Sequence, residues 1–271
     1  MEQTVIDTSK LISAIEHNMY AKLQYIPSKI ESMNVINCGK TLVVDSGMPS
    51  DTFNTAYGGS IDSKTAAEVR AYYRNKQFPM AWWIGPEAES KYDVKTVMED
   101  AGFVHDEHDV GMLCDLKNLE LPDYTLPDGL TITQCTKQHH YDDFGIVLSS
   151  IFDPVDQYVQ QFYKLIGSIP QESRKDLVLF VGYYENKPVS TAAVFMTDVA
   201  GIFDVSTMPN QQKRGYGSAM FYTAVEYAKS SGYRHAVLQA SPDGLNIYKR
   251  FGFETVCNFN VYSNHPHLEG E

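Results

Sequence analysis

The chain has 271 residues, 43% of them hydrophobic, 12% aromatic and 21% charged, which is core material for two domains of ordinary size. Its formal net charge of -12 argues against nucleic acid as the main partner, because a phosphate backbone asks for a basic face. No apolar run approaches bilayer length and the opening Met1-Glu2-Gln3-Thr4 is acidic rather than basic, so neither a membrane span nor a secretory signal is visible and a cytoplasmic location is expected. The acidity either serves solubility alone or favours cationic substrates such as primary amines by steering. Cys38, Cys114, Cys135 and Cys257 are scattered without a CxxC, and are expected to be reduced and buried.

Residues 8–23 place Leu11, Ile12, Ile15, Met19 and Leu23 at helical spacing behind Thr8-Ser9, and Pro27 ends that helix. Strands at 33–36 and 40–44 flank the turn-like Asn37-Cys38-Gly39. A strand at 52–57, Gly58-Gly59 as a turn, and a helix at 63–74 follow. Next come an aromatic strand at 78–84 with Trp82 and Trp83, a short helix at 92–100 closed by Ala101-Gly102-Phe103, and a strand to Leu116. Residues 118–129 carry Pro122 and Pro127 with no helical or strand period, as a linker does. Beyond it the pattern gives a strand at 130–134, helices at 137–150 and 154–167, and a hairpin of apolar strands at 177–183 and 188–196.

The most informative stretch comes next. A strand-like run with Ile202, Phe203 and Val205 leads into Gln212-Lys213-Arg214-Gly215-Tyr216-Gly217-Ser218, and a helical pattern from Met220 leads out. Two residues without β-carbons let backbone N–H groups close on a ligand, and the helix start adds unpaired donors and the positive end of its dipole. With Lys213 and Arg214 beside it, the expected ligand group is a phosphate or pyrophosphate. A buried strand at 233–240, a helix carrying Asn246 and Tyr248, and Phe251-Gly252-Phe253 complete the pattern. The order strand, glycine turn, helix, buried strand, short helix, Gly-Phe, strand therefore occurs twice, over 52–116 and 202–262.

Gln212-x-x-Gly215-x-Gly217 resembles the acyl-CoA pyrophosphate loop of the GNAT superfamily of N-acyltransferases, and the segment from Asn246 to Phe253 resembles that family's next helix and its close. The resemblance covers residues 128–262 and implies an α/β (α+β) fold of two tandem GNAT-like modules, each a mixed, mostly antiparallel sheet flanked by helices. Residues 1–118 would be a degenerate first module, 119–129 a linker and 130–265 the acetyltransferase module. The implied activity is transfer of an acetyl group from acetyl-CoA to a small-molecule or peptide amine, by direct attack in a ternary complex. The rivals are a non-catalytic acyl-CoA-binding or sensing module and a nucleotide-binding α/β domain. The latter would want a Gly-Lys-Ser/Thr or an acidic ribose ligand that the chain lacks.

By the same resemblance, the amides of residues 213–218 hold the cofactor with the side chains of Gln212, Lys213 and Arg214, and Asn246 is a further contact. Thr207 stands where a backbone N–H polarises the thioester carbonyl, and Tyr248 where a tyrosine protonates the departing thiolate; a core tyrosine is the alternative. Residues 151–154 and Tyr158 would shape the acceptor pocket. One branch of the family uses a glutamate as base, but its place falls near Gly201. Asp204 lies on that strand at the opposite parity, so only a bulge turns it toward the site. Asp198, His139, His140 and water are other candidates. Tyr57, Trp82 and Trp83 either line a cleft between modules or are core. The first module's Gly58-Gly59-Ser60-Ile61-Asp62 has no basic residue before it and is bracketed by Asp51 and Asp62, so it should bind CoA poorly if at all. His265-Pro266-His267 has too few ligands around it for a metal site.

Overall fold

The computed structural model describes residues 8–58, 61–121, 123–241 and 244–264, so Gly59, Ser60 and His265-Pro266-His267 lie outside the described residues. Helix α1 (Thr8–Tyr25) precedes the hairpin β1 (Asn34–Cys38) and β2 (Thr41–Asp45). Then come β3 (Thr55–Gly58), α2 (Ser63–Lys76), β4 (Ala81–Ile84), α3 (Pro86–Glu89), α4 (Val94–Asp100) and the long β5 (Val104–Asp115). The second half starts with β6 (Leu130–Gln134), α5 (Gln138–Ser149), α6 (Gln157–Ser168), β7 (Leu177–Tyr184) and β8 (Lys187–Met196). It continues with β9 (Ala200–Thr207), α7 (Tyr216–Ser230), β10 (His235–Ala240), α8 (Leu245–Arg250) and β11 (Glu254–Ser263). The helix expected at 92–100 starts later because Asp93 caps it, accepting from Thr96 N–H at 3.3 Å.

Both copies of the repeated order are built, β3-α2-β4-α4-β5 and β9-α7-β10-α8-β11. Gly102 and Gly252 close them with nearly the same left-handed φ, +81° and +80°. The bonding there also matches: Phe103 N–H reaches Met98 C=O at 2.9 Å, and Phe253 N–H reaches Tyr248 C=O at 3.2 Å. Met98 therefore occupies in the first copy the place of Tyr248 in the second.

All eleven strands form one sheet in the order β1-β2-β3-β4-β11-β5-β10-β9-β8-β7-β6, antiparallel throughout except for the β3/β4 and β9/β10 pairs. At its centre the halves exchange strands. β11 lies between β4 and β5, and β5 lies between β11 and β10, so each half's last strand pairs with a strand of the other half. The exchange gives β4 and β10 each a partner strand from the other half.

Helix α7 buries Met220, Phe221, Ala224, Val225 and Ala228 completely, a helical stripe that packs on the sheet beside Met112 and Cys114 of β5. Burying a side chain such as Phe221 stabilises by about 1.5–3 kcal/mol, so a core that takes residues from β5 ties the halves together. On the opposite face α1 sets Ile15 and Met19 against Val199, Val237 and Phe259. Within the expected linker, Leu119 and Leu121 pack on the core, and Tyr124 stacks on Tyr222 with ring centroids 4.9 Å apart. All four cysteines are unpaired, but only Cys114 and Cys135 are buried; Cys38 on β1 and Cys257 on β11 are partly exposed. No helix among the described residues is long and apolar enough to cross a membrane.

A single sheet with exchanged strands should melt as one unit. The full chain is expected to show one cooperative thermal transition, and a fragment of residues 119–271, which lacks β5, should fail to give a monomeric folded species by circular dichroism and gel filtration. A fragment that melts cooperatively as a monomer would contradict the dependence.

Candidate active site

Strand β9 reaches α7 through a tight turn at Pro209–Gln211 and a loop with two left-handed residues, Lys213 at φ +63° and Gly215 at φ +82°. Glycine takes that conformation freely, whereas for Lys213 it costs roughly 1–2 kcal/mol. The first bond of α7 runs from Ala219 N–H to Gly215 C=O at 3.0 Å, so the amides of Tyr216, Gly217 and Ser218 have no helical partner. They share the positive end of the helix dipole. A β-carbon on Gly217 would stand 3.2 Å from Thr207 Oγ1, so glycine keeps the approach to these amides clear.

The side chains divide cleanly. Tyr216 packs into a small core with Leu130, Val189 and Ala219 and offers a ligand only its backbone. Gln212, Lys213 and Arg214 are exposed, and Gln212 Nε2 donates to Thr207 C=O at 3.5 Å. Asn246 is exposed on α8, and Ser218 is half-buried in the first turn of α7. Free amides at a helix start with two cations nearby fit a pyrophosphate.

Next to this loop the sheet opens. β9 and β10 pair only through Ala200–Ala236 and Gly201–Val237, although the strands run on to Thr207 and Ala240. Met208 N–H bonds to Val189 C=O at 3.0 Å, which makes Ser190–Thr207 a pair without mutual bonds. The N–H of Thr207 accordingly points away from β8, into the opening.

A bulge lies just before it. Thr191 faces Ser206 and Ala193 faces Phe203, so Asp204 and Val205 together oppose Ala192. Asp204 takes φ +53° there, and its side chain joins the face of Phe203. Its carboxylate accepts a hydrogen bond from Tyr163 Oη at 2.7 Å and pairs with Lys22 Nζ of α1 at 3.4 Å. The bulge required by the sequence reading is present.

The opening belongs to a cleft of about 520 Å³ that passes through the sheet. Phe203, Asp204 and Gln239 line it from the α1 face, and Ile202, Val205 and Tyr248 from the α7 face. The far wall comes from the first half of the chain, with Trp83 of β4, Asp51, and Asp106, Glu107 and Asp109 of β5. Lys22 is the one cation among the described lining residues. Tyr248 packs on Phe221, centroids 4.8 Å apart, and burial followed by the negative charge of Asp109 pushes its phenol above the usual value. Burial likewise raises the Asp109 carboxyl, with His108 opposing. Glu107 stands exposed at the mouth, where partial desolvation and the charges of Asp109, Asp106 and Asp51 raise it.

Other candidates are placed elsewhere. His140 Nδ1 accepts from the N–H groups of Thr136 and Lys137 at 3.2 and 3.4 Å, so it caps α5, and burial lowers its pKa. His139 is exposed beside it, and Asp198 is exposed in the β8–β9 turn at the far end of the strand from the loop. A β-carbon on Gly201 would stand 1.9 Å from Asn18 Oδ1, so that position is closed to any side chain. Of the tryptophans, Trp82 is wholly buried against Phe103 and only Trp83 reaches the cleft; Tyr57 is core, stacked on Tyr20. Phe152 lines the cleft, while Tyr158 packs on the core of α5 and α6. A larger hollow of about 730 Å³ near the ends of α1 and α6 is an open groove that holds none of the residues singled out by sequence.

Among its described residues the first copy does not show these features. β3 and β4 pair at Thr55–Ala81, Ala56–Trp82 and Tyr57–Trp83, so no opening forms. Asp62 accepts from Thr65 N–H at 2.7 Å and puts its own carboxylate on the start of α2. Met98 is fully buried. Lys22, Gln239 and the carboxylates of β5 escaped the sequence reading; the run Asp106-Glu107-His108-Asp109 inside an expected strand was the available signal.

Residues 142–253 match the model of the Acetyltransferase (GNAT) family. No curated protein matches the chain. Among solved structures, the chain is similar to a GCN5-related N-acetyltransferase from Kribbella flavida, at 15% identity over 96% of each chain with a TM-score of 0.67. Another from Sphaerobacter thermophilus shares 13% identity over 84% of this chain and 81% of its own, with a TM-score of 0.60. A tandem GNAT protein from the clavulanic acid biosynthesis pathway shares 10% identity over 96% and 95%, with a TM-score of 0.57. At these identities the likeness is one of fold, and it extends over both halves.

The raised carboxyl of Asp109 has a consequence for stability. A carboxylate whose folded pKa lies above its unfolded value favours the fold at low pH, and that contribution is lost as pH rises through the folded pKa. Asp109→Asn is therefore expected to raise the melting temperature at pH 7.5, with the gain fading toward pH 4. An unchanged or lowered melting temperature at pH 7.5 would show that the charge costs the fold nothing.

Proposed function

Taking residues 142–253 as a GNAT-family acetyltransferase domain, we propose that this protein moves an acetyl group from acetyl-CoA to a primary amine by direct attack in a ternary complex. The reading is carried by one coincidence: β9 runs from the cleft that Val205 and Tyr248 line to Thr207, whose N–H faces the β9–β10 opening and whose Oγ1 lies against the anion loop at Gly217. Bound acyl-CoA would supply an activated thioester carbonyl. The amides of residues 213–218 hold its pyrophosphate, with charge from Lys213 and Arg214 and an added contact from Asn246 on α8. Thr207 N–H is placed to receive the carbonyl oxygen as negative charge develops there.

Tyr248 enters the reaction protonated and, although burial and Asp109 disfavour the phenolate, it donates that proton as the thiolate departs. Asp204 already has a partner on each oxygen, so it orients the amine and takes its proton through water. The first half, residues 1–118, supplies the far wall rather than a second site. The chemistry rests on residues 130–265. The acceptor is a small molecule or peptide that presents a primary amine to the cleft.

Two substitutions test separate parts. Tyr248→Phe keeps the ring packing and should lower turnover about 10²- to 10⁴-fold with CoA affinity unchanged, as read by thiol release and calorimetry. Equal losses in both would make the tyrosine structural. Gly217→Asp should abolish CoA binding at an unchanged melting temperature, because it sets a carboxylate among the loop amides. Retained CoA binding would remove the loop from the reading, and binding without turnover of any amine in the wild type would favour a sensor.

A further inference from the structure

We propose that the acceptor is a dication, an amine that carries a second positive centre held by the far wall of the cleft; this rests on the transferase reading above. The amine that attacks must be neutral, so it gains nothing lasting from a group of carboxylates. A charge that persists through the reaction does. Asp106, Glu107, Asp109 and Asp204 line the cleft, and Lys22 is the one cation set against them among the described lining residues. That ammonium is taken by Asp204 at 3.4 Å. Among the described ion pairs, none joins Asp106, Glu107 or Asp109 to a lysine or arginine.

Two further observations point to a ligand of this kind. Lys22 shows how the cleft receives a primary ammonium, beside a carboxylate and 5.0 Å from the centroid of the Phe203 ring. Trp83 offers another aromatic face on the wall that bears the carboxylates. The raised carboxyls of Asp109 and Glu107 agree, since a cation from outside would relieve what the fold leaves unpaired. The wall is built by β5 and β4 of the first half, which gives that half a role in choosing the acceptor. The reaction balances as a C–N bond formed and a C–S bond broken, with one amine proton passing to solvent through Asp204 and the thiolate protonated by Tyr248, which regains its proton from solvent.

The test compares 1,4-diaminobutane, 4-aminobutan-1-ol and 4-aminobutanoate on the full-length protein, by thiol release with acetyl-CoA and by calorimetry in the presence of CoA. The diamine should exceed the alcohol about tenfold or more in kcat/KM, chiefly through KM, with the aminobutanoate lowest. Glu107→Gln and Asp109→Asn should bring diamine and alcohol together, and added salt should narrow the gap. An alcohol used as well as the diamine, or a preference unmoved by both variants, would overturn the inference and leave the transferase standing. Diamine binding that depends on Glu107 and Asp109 without CoA release from any amine would instead keep the cation site and sink the transferase.

Discussion

The site depends on the parting of β9 from β10. A parallel pair that stops after two residue pairs leaves backbone donors of β9 open to a ligand, and it can do so only if each strand is held firmly along its other edge. β9 is held by β8 from Ala200 to Thr207, and β10 by β5 along its whole length, His235 to Ala240. β5 comes from the first half of the chain. The exchange of β5 and β11 is therefore what lets the second half keep its sheet open without losing β10, and it brings the acidic stretch of β5 to the mouth of the opening.

The first half shows what happens when the opening is not kept. There β3 and β4 remain paired, Tyr57 fills the space above them by stacking on Tyr20, and Asp62 caps the helix that would have received an anion. Each change satisfies locally a group whose counterpart in the second half is left open. An N-cap of this type stabilises by about 0.5–2 kcal/mol, which is the kind of gain open to a copy released from binding. The equivalence of Met98 and Tyr248 fits the same trend, an apolar side chain buried where a hydroxyl would need a use.

The legible parts of the sequence were those whose physics is local. Gly215 and Gly217 announce a backbone approach, the stripe from Met220 to Ala228 announces a buried helix face, and Gly102 and Gly252 mark two matching chain reversals. The exchange was not legible, because β5 and β11 would show the same alternation whichever half they joined. Nor was the contact between Lys22 and Asp204, which joins residues 182 apart, or the fastening of the linker by Tyr124 on Tyr222. The bulge at Asp204 sits between these cases: the parity of Phe203, Asp204 and Val205 shows what it would achieve, while only the pairing with Thr191 and Ala193 shows that it forms.

The missing carboxylate at position 201 is likewise a matter of packing rather than of one lost side chain. Asn18 donates to Phe195 C=O, Thr197 Oγ1 and Val199 C=O at 3.1, 2.9 and 3.2 Å, which pins α1 across the β8–β9 turn and brings its Oδ1 over Gly201. A glutamate there would have to displace the helix. The same docking delivers Lys22, one turn further along α1, to Asp204. Helix α1 thus closes position 201 to a carboxylate and holds Asp204 in place, with one oxygen engaged by Lys22 and the other by Tyr163.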